Sequence, residues 1–318
     1  MRPPRFWELD GILPRILSPA SGAVAAITAR RLTKPGWRAP VPVICFGNVT
    51  LGGTGKTTLA IEIGNRLLRR GIRLHFLLRG YGGSTTGTRW VQPGDDAALV
   101  GDEALLLAAV APTWTGADRA KSARAAAGAG AELLILDDGL QNPGLVKDLS
   151  FLVVDGEVGF GNGRVMPAGP LREPARAAAA RCQAVIIIGQ DLTGATAGLN
   201  LPILRIKLVP GPASLALAGE RVLAFAGIGR PEKFFHTLAQ AGAEVATAIS
   251  FPDHHRFRAR EIDEVLRHAE TLRAVPVTTR KDAMRLPPSV REAVRVADVQ
   301  IAWEDEAKLD QMLSGVLP

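Results

Sequence analysis

Cysteine, tyrosine and long uncharged apolar runs are scarce in this sequence, and each scarcity excludes something. The 318 residues hold 2 cysteines and 1 tyrosine. Cys45 and Cys182 cannot build a disulfide framework, and neither belongs to a Cys-x-x-Cys or Cys/His cluster. That points to a reducing compartment and argues against structural zinc. Both lie in or at the start of apolar runs and read as buried filler. The apolar stretch after Arg2 and Arg5 is interrupted and has no clean cleavage site, so no secretory signal is expected. Residues 7–29 carry Glu8, Asp10, Arg15 and two prolines, short of the roughly 20 uncharged apolar residues that a spanning helix needs. Basic runs and nucleic-acid motifs are missing too. The excess of 38 Lys+Arg over 31 Asp+Glu, a net charge of +7, therefore favours an anionic partner without pointing to nucleic acid.

What is present is a globular chain, 47% hydrophobic and 22% charged, long enough for two domains or one large one. From residue 41, β-rich runs at 41–46, 74–78, 133–136, 151–154 and 184–188 alternate with helical stretches at 56–70, 102–109 and 118–129. Continuous apolar strands separated by helices predict βαβ units and a parallel sheet covered on both faces. A Pro/Gly-rich passage then precedes a second α/β set at 221–278. The expected organisation is an N-terminal helix within 1–34, a core domain over 35–205, a hinge at 206–220 and a smaller α/β domain over 221–318. The N-terminal segment suits an interfacial helix followed by Arg30, Arg31, Lys34 and Arg38, or equally a helix packed on the body.

The first strand runs into Gly47-Asn48-Val49-Thr50-Leu51-Gly52-Gly53-Thr54-Gly55-Lys56-Thr57. Strand, glycine loop, Lys-Thr and helix together form the context of a phosphate cradle. Backbone N–H groups and the helix N-terminus bind the anion, Lys56 reaches the β/γ-phosphates and Thr57 holds Mg²⁺. Thr50 stands where the strict pattern has its first glycine. An apolar strand ending in Asp137 and Asp138 supplies carboxylates for Mg²⁺ near that threonine, and which of the two meets the metal is left open. These features define a P-loop NTPase or kinase. A deviant P-loop switch ATPase acting on a protein partner is the alternative, although Leu51 replaces the signature lysine of that group.

The remaining motifs occur in order: GNVTLGGTGKTT, LLRGYGG (77–83), GDEALLLA (101–108), LDDGLQN (136–142), DGEVGFGNGRVMPAGPLREP (155–174), FPDHHRF (251–257) and TTRKDAMR (278–285). Together they resemble the lipid A 4′-kinase family, the tetraacyldisaccharide 4′-kinases. Thr58, Gly83 and Arg280 depart from the family's usual Pro, Arg and Glu. The resemblance implies a P-loop kinase fold with ATP and Mg²⁺ as cofactors. It also implies transfer of the γ-phosphate to the 4′-hydroxyl of tetraacyldisaccharide 1-phosphate, giving lipid IVA at the cytoplasmic face of the inner membrane. A monomer held on the membrane surface by its N-terminal helix is expected.

By the same resemblance Asp102 is the catalytic carboxylate and His254 its partner, although Asp102 also reads as a cap on the helix that follows. Lys56 joins them in phosphoryl transfer, and Thr50, Gly52, Gly53, Thr54, Gly55, Lys56 and Thr57 form the nucleotide loop. Tyr81, Arg119, Arg172 and Glu173 are the expected substrate contacts, with Arg79 a weaker candidate, and Lys281 and Asp282 resemble a motif on the adenine side. Domain closure is expected to bring His254 to Asp102.

Overall fold

The structure, a computed structural model, describes residues 4–317, so Arg2 of the N-terminal basic pair lies outside the described residues. The elements in chain order begin with α1 (Ile12–Leu32), β1 (Val43–Gly47), α2 (Lys56–Arg69), β2 (Leu74–Leu78), β3 (Arg89–Trp90), α3 (Ala97–Val100) and α4 (Asp102–Ala108). There follow β4 (Thr113–Thr115), α5 (Arg119–Gly128), β5 (Leu133–Asp137), β6 (Leu149–Asp155), α6 (Ala175–Ala179), β7 (Ala184–Ile188) and β8 (Ile203–Pro210). The chain continues with α7 (Pro212–Leu215), β9 (Arg221–Ala226), α8 (Pro231–Gln240), β10 (Glu244–Ser250), α9 (Ala259–Thr271), β11 (Val275–Thr279) and α10 (Arg280–Ala283). It closes with α11 (Pro288–Arg291), β12 (Arg295–Ala297), β13 (Val299–Trp303) and α12 (Glu306–Ser314).

The larger sheet has nine strands in the order β13-β8-β7-β6-β1-β5-β2-β4-β3. Its seven inner strands are parallel, and β3 and β13 close the two edges antiparallel. Strands β1, β2, β5, β6 and β7 are buried along their whole length, as their largely apolar runs require of a sheet covered on both faces. One face packs Leu59, Ile63 and Leu67 of α2 and Leu309 and Leu313 of α12. The other packs α5 and α6 through Ala123, Ala126, Ala178 and Ala179, small residues that bring these helices close to the sheet. Both cysteines are buried here among apolar side chains, and burial pushes each thiol up to about 12.

The smaller sheet, β10-β9-β11-β12, is fully parallel, with Phe234 and Leu238 of α8 on one face and Ile262 and Val265 of α9 on the other. Its boundaries differ from the expected ones. Residues 206–210 belong to β8 of the larger sheet rather than to a hinge, and the chain returns to that sheet through β13. Helix α12 then docks on α2, where Arg66 bonds Glu306 at 2.9 Å and Asp310 at 3.1 Å. Two crossings, at 211 and 298, therefore join the domains, and Asp298 ties them by accepting from the Ser214 amide at 3.1 Å. The Pro/Gly passage marked the first crossing, whereas the second carries no such signal.

Helix α1 begins at Ile12, which leaves Glu8 and Asp10 outside it. An 18-residue window of it has mean hydropathy 1.3, so by length and composition it is long enough and apolar enough to cross a membrane. The span 7–29 failed that test because it took in acidic residues that precede the helix. Only 11% of the window is buried, and Ile12, Ile16 and Ile27 are exposed. A narrow seam docks the helix: Ser21 Oγ accepts from the Ala168 amide at 3.1 Å, and Arg164 reaches Asp10 at 2.9 Å and Ser18 Oγ at 2.6 Å.

Candidate active site

The larger sheet presents the C-terminal ends of β1, β5 and β6 along one edge, where open parallel sheets bind ligands. The phosphate loop leaves β1 there. Gly52 and Gly55 take φ values of 116° and 79°, left-handed backbone that favours glycine. A Cβ on Gly55 would also lie 2.9 Å from Ile188 Cδ1. Thr50 tolerates its place because it is extended, bridged to Leu171, while its Oγ1 accepts from Asn48 Nδ2 at 3.1 Å. Its side chain is therefore committed to the loop's frame. Thr54 and Lys56 are buried, with Lys56 Nζ 3.5 Å from Thr54 Oγ1 and 3.7 Å from Asp138 Oδ1.

At the end of β5 the two aspartates diverge. Asp137 is 2% exposed; its Oδ2 accepts from Thr57 Oγ1 at 2.8 Å, and its Oδ1 has no hydrogen-bond partner. Burial, with the Glu103 charge adding to it, pushes this carboxyl up to about 7 despite nearby Lys56. Asp138 takes φ 53° and turns to Arg172, whose Nη1 reaches both carboxylate oxygens at 3.0 and 2.9 Å. Burial pushes Asp138 up, but Lys56 and Arg172 outweigh it and hold the group below the usual carboxylate range. The orphaned Asp137 oxygen beside Thr57 suits a divalent cation. Among the described residues no cluster of three or more His, Cys, Asp or Glu forms a metal site, so further ligands would come from phosphate and water.

The third group lies between the domains. Gly101 (φ 90°) precedes α4 and Asp102 is its first residue, so Asp102 is not the cap residue, although its Oδ1 accepts from the Glu103 amide at 2.8 Å. His254, held at φ 57° in the turn after β10, places Nδ1 3.1 Å from Asp102 Oδ2. Arg285 Nε is 3.2 Å from the same oxygen, a charge contact rather than an aligned hydrogen bond. Burial pushes Asp102 up, but the His254 bond and the charges of Lys281, His254 and Arg285 bring it below the usual range. The Tyr81 ring is 66% exposed and meets His254 edge-on, centroids 5.4 Å apart.

Other expected residues fall differently. Glu173 is buried, its oxygens bonded by Arg181 at 2.7 and 2.8 Å and by Gln141 at 3.0 Å, so no oxygen is left facing the cleft. Arg119 is buried and donates to the Gly116 carbonyl; burial lowers it to about 10, still cationic at neutral pH. Arg79 is exposed. His255 bonds Glu261 at 2.8 Å and stacks on Phe251, away from Asp102. Lys281 lies against His254 and Glu103, and Asp282 accepts from the Gly227 amide at 3.0 Å.

Four groups escaped the sequence reading. Asp155, at the end of β6, binds Arg230 at 2.6 Å and Lys233 at 2.9 Å across the domain boundary, and Glu157 also pairs with Arg230. These ion pairs hold the 227–230 turn against the phosphate loop, with the Gly229 Cβ position 3.6 Å from the Gly53 amide nitrogen. Asp155 sat inside a quoted motif, but Arg230 and Lys233 carried no signal of their own.

A family model described as "Tetraacyldisaccharide-1-P 4′-kinase" matches residues 13–318. The chain is 54% identical to a tetraacyldisaccharide 4′-kinase of Rhodospirillum centenum, covering 100% of this chain and 97% of that one. It is 52% identical to one of Gluconacetobacter diazotrophicus, over 98% and 97%. The solved LpxK of Aquifex aeolicus in complex with ATP superposes with a TM-score of 0.78 at 26% identity, over 96% of this chain and 100% of that one. Phosphate loop, paired aspartates and the Asp102–His254 contact thus sit in a chain matched from end to end, and it belongs to the tetraacyldisaccharide-1-P 4′-kinase family.

Proposed function

We propose that the protein transfers the γ-phosphate of ATP to the 4′-hydroxyl of tetraacyldisaccharide 1-phosphate, yielding lipid IVA. The observation that carries this reading is the Asp102–His254 contact across the domain boundary beside the phosphate loop. A switch ATPase needs only the loop and its carboxylates. An acceptor kinase also needs a group that orients and deprotonates a hydroxyl in a cleft closed to water. Asp102 is that group, and His254 orients it. Lys56 and the N-terminus of α2 hold the β/γ-phosphates, while Arg172 fixes Asp138 and adds positive charge near the transferred group. Thr57 and Asp137 would hold Mg²⁺, which when bound neutralises charge on the phosphates.

Tyr81 and the exposed Arg79 line the acceptor side, with the buried Arg119 charge behind them. The exposed apolar face of α1, with Arg30, Arg31 and Lys34 at its end, holds the cleft at an anionic membrane face on the cytoplasmic side, where ATP and lipid are both reachable. The test is incubation with Mg-ATP and tetraacyldisaccharide 1-phosphate in detergent, with the lipid read by mass spectrometry. The expected result is the gain of one phosphoryl group. ATP hydrolysis with the lipid unchanged would favour the switch-ATPase reading.

A further inference from the structure

The histidine that meets Asp102 has a second nitrogen, and its surroundings settle where the ring proton sits. His254 Nε2 is 3.3 Å from Lys281 Nζ, and Lys281 Nζ is 3.1 Å from Glu103 Oε1. The next group near Nε2 is Asp253 Oδ1, at 3.9 Å. On the other side of the ring, Nδ1 faces Asp102 Oδ2 at 3.1 Å, an oxygen that Arg285 also approaches. The Tyr81 ring packs against the imidazole with centroids 5.4 Å apart. Burial lowers the Lys281 pKa, but Glu103, Asp102 and Asp253 raise it further, so the ammonium is retained. An ammonium has three donors and no acceptor, so the nitrogen it bonds must carry a lone pair.

We propose that Lys281 is a positioning residue for the transfer, donating to Nε2 of His254 so that the ring proton stays on Nδ1 and points at Asp102. Glu103 anchors the ammonium from the first domain, one residue after Asp102 on α4. The same helix therefore carries the carboxylate and the anchor of the lysine that orients its histidine. The Asp102 contact and the Glu103 anchor both cross the domain boundary, whereas Lys281 and His254 share the second domain. Without Lys281 the ring is free to place its proton on Nε2, towards Asp253, and Asp102 then faces a lone pair in place of a donor.

This inference rests on the kinase reading for its consequence, though not for its geometry. ¹⁵N NMR of the histidine rings at about pH 8, with the His254 resonances assigned by loss in His254→Asn, reads the tautomer directly. In the unsubstituted protein Nε2 is expected to be the unprotonated nitrogen, and in Lys281→Met the Nε2–H form is expected to appear. Lys281→Arg, which keeps a donor-only cation, should restore the Nδ1–H form. Lys281→Met should lower kcat for lipid phosphorylation about tenfold or more while KM for ATP stays within about twofold. An Nε2–H ring in the unsubstituted protein, or an unchanged spectrum in Lys281→Met, overturns the proposal. The first outcome needs no variant to fold. Should the protein fail to phosphorylate the lipid at all, the functional reading falls while the ring spectrum still decides the placement of the proton.

Discussion

Asp137 and Asp102 are the same side chain at nearly the same burial, 2% and 3% exposed, yet their proton affinities move in opposite directions. Asp137 has one neutral hydroxyl donor, a free oxygen and an acidic neighbour, and rises to about 7. Asp102 has an imidazole, an ammonium and a guanidinium around it and falls below the ordinary range. The difference is where each carboxylate finds its positive charge. Asp102 receives it from the second domain, through His254, Lys281 and Arg285. Asp137 has too little from the protein, and in the proposed kinase a divalent cation would complete it. One carboxylate is thus coupled to domain position and the other to ligand.

The largest expected effect breaks the first half of this comparison. Asp102→Asn keeps the shape but removes the proposed base, and lipid phosphorylation should fall about 10³-fold with ATP affinity little changed. A steady-state assay with ATP binding measured separately checks it, and a loss under about tenfold would mean that another group takes the proton.

Asp137→Asn sharpens the contrast through stability. The folded pKa of Asp137, about 7, lies above its ordinary 3.8, so between these values the folded protein binds more protons than the unfolded chain. Its contribution to stability therefore falls as pH rises from about 4 to about 7 and stays low above that. Asp102, lowered when folded, contributes above its ordinary 3.8 and loses that contribution as pH falls through the folded value. Thermal melts without divalent metal should then show Asp137→Asn more stable than the parent at about pH 8, by roughly 1–4 kcal/mol, with the gain gone near pH 4. Asp102→Asn should be less stable at the same alkaline pH. Equal behaviour of the two variants would dissolve the distinction.

The interdomain ion pairs offer a smaller test. Arg230→Ala leaves Asp155 with Lys233 as its remaining ion-pair partner and should cost about 1–3 kcal/mol in urea unfolding. Proteolysis near residues 211–220 should also speed up. Smallest in stability is a pair far from both carboxylates, Ile16→Glu with Ile27→Glu. These side chains are 68% and 69% exposed, so the melt should move by about 0.5 kcal/mol or less while flotation with anionic vesicles is lost. Retained flotation would locate membrane attachment elsewhere.

How much of this the sequence made legible depended on whether the signal was local. The phosphate loop, the apolar strands and the Asp137-Asp138 strand end are runs of adjacent residues, and they lie where their pattern predicted. The Asp102–His254 contact spans 152 positions and could be anticipated only through resemblance to the family. Glu173 carried the opposite lesson. Its charge in a motif suggested a ligand contact, but Arg181, eight positions on, absorbs it in a buried pair. The return of the chain to the larger sheet at β13 was hidden because no Pro/Gly breaker marks the crossing before 299–303. Lys281 gave no sign of its role, since a lysine beside an aspartate in a loop is ordinarily a solvated pair.

The most direct test of the account is a single-turnover reaction with γ-labelled ATP, with and without tetraacyldisaccharide 1-phosphate, following where the label goes. A cleft built around Asp102 predicts label in the lipid, little free phosphate, and loss of transfer in Asp102→Asn. Free phosphate released at the same rate whether or not lipid is present would contradict it.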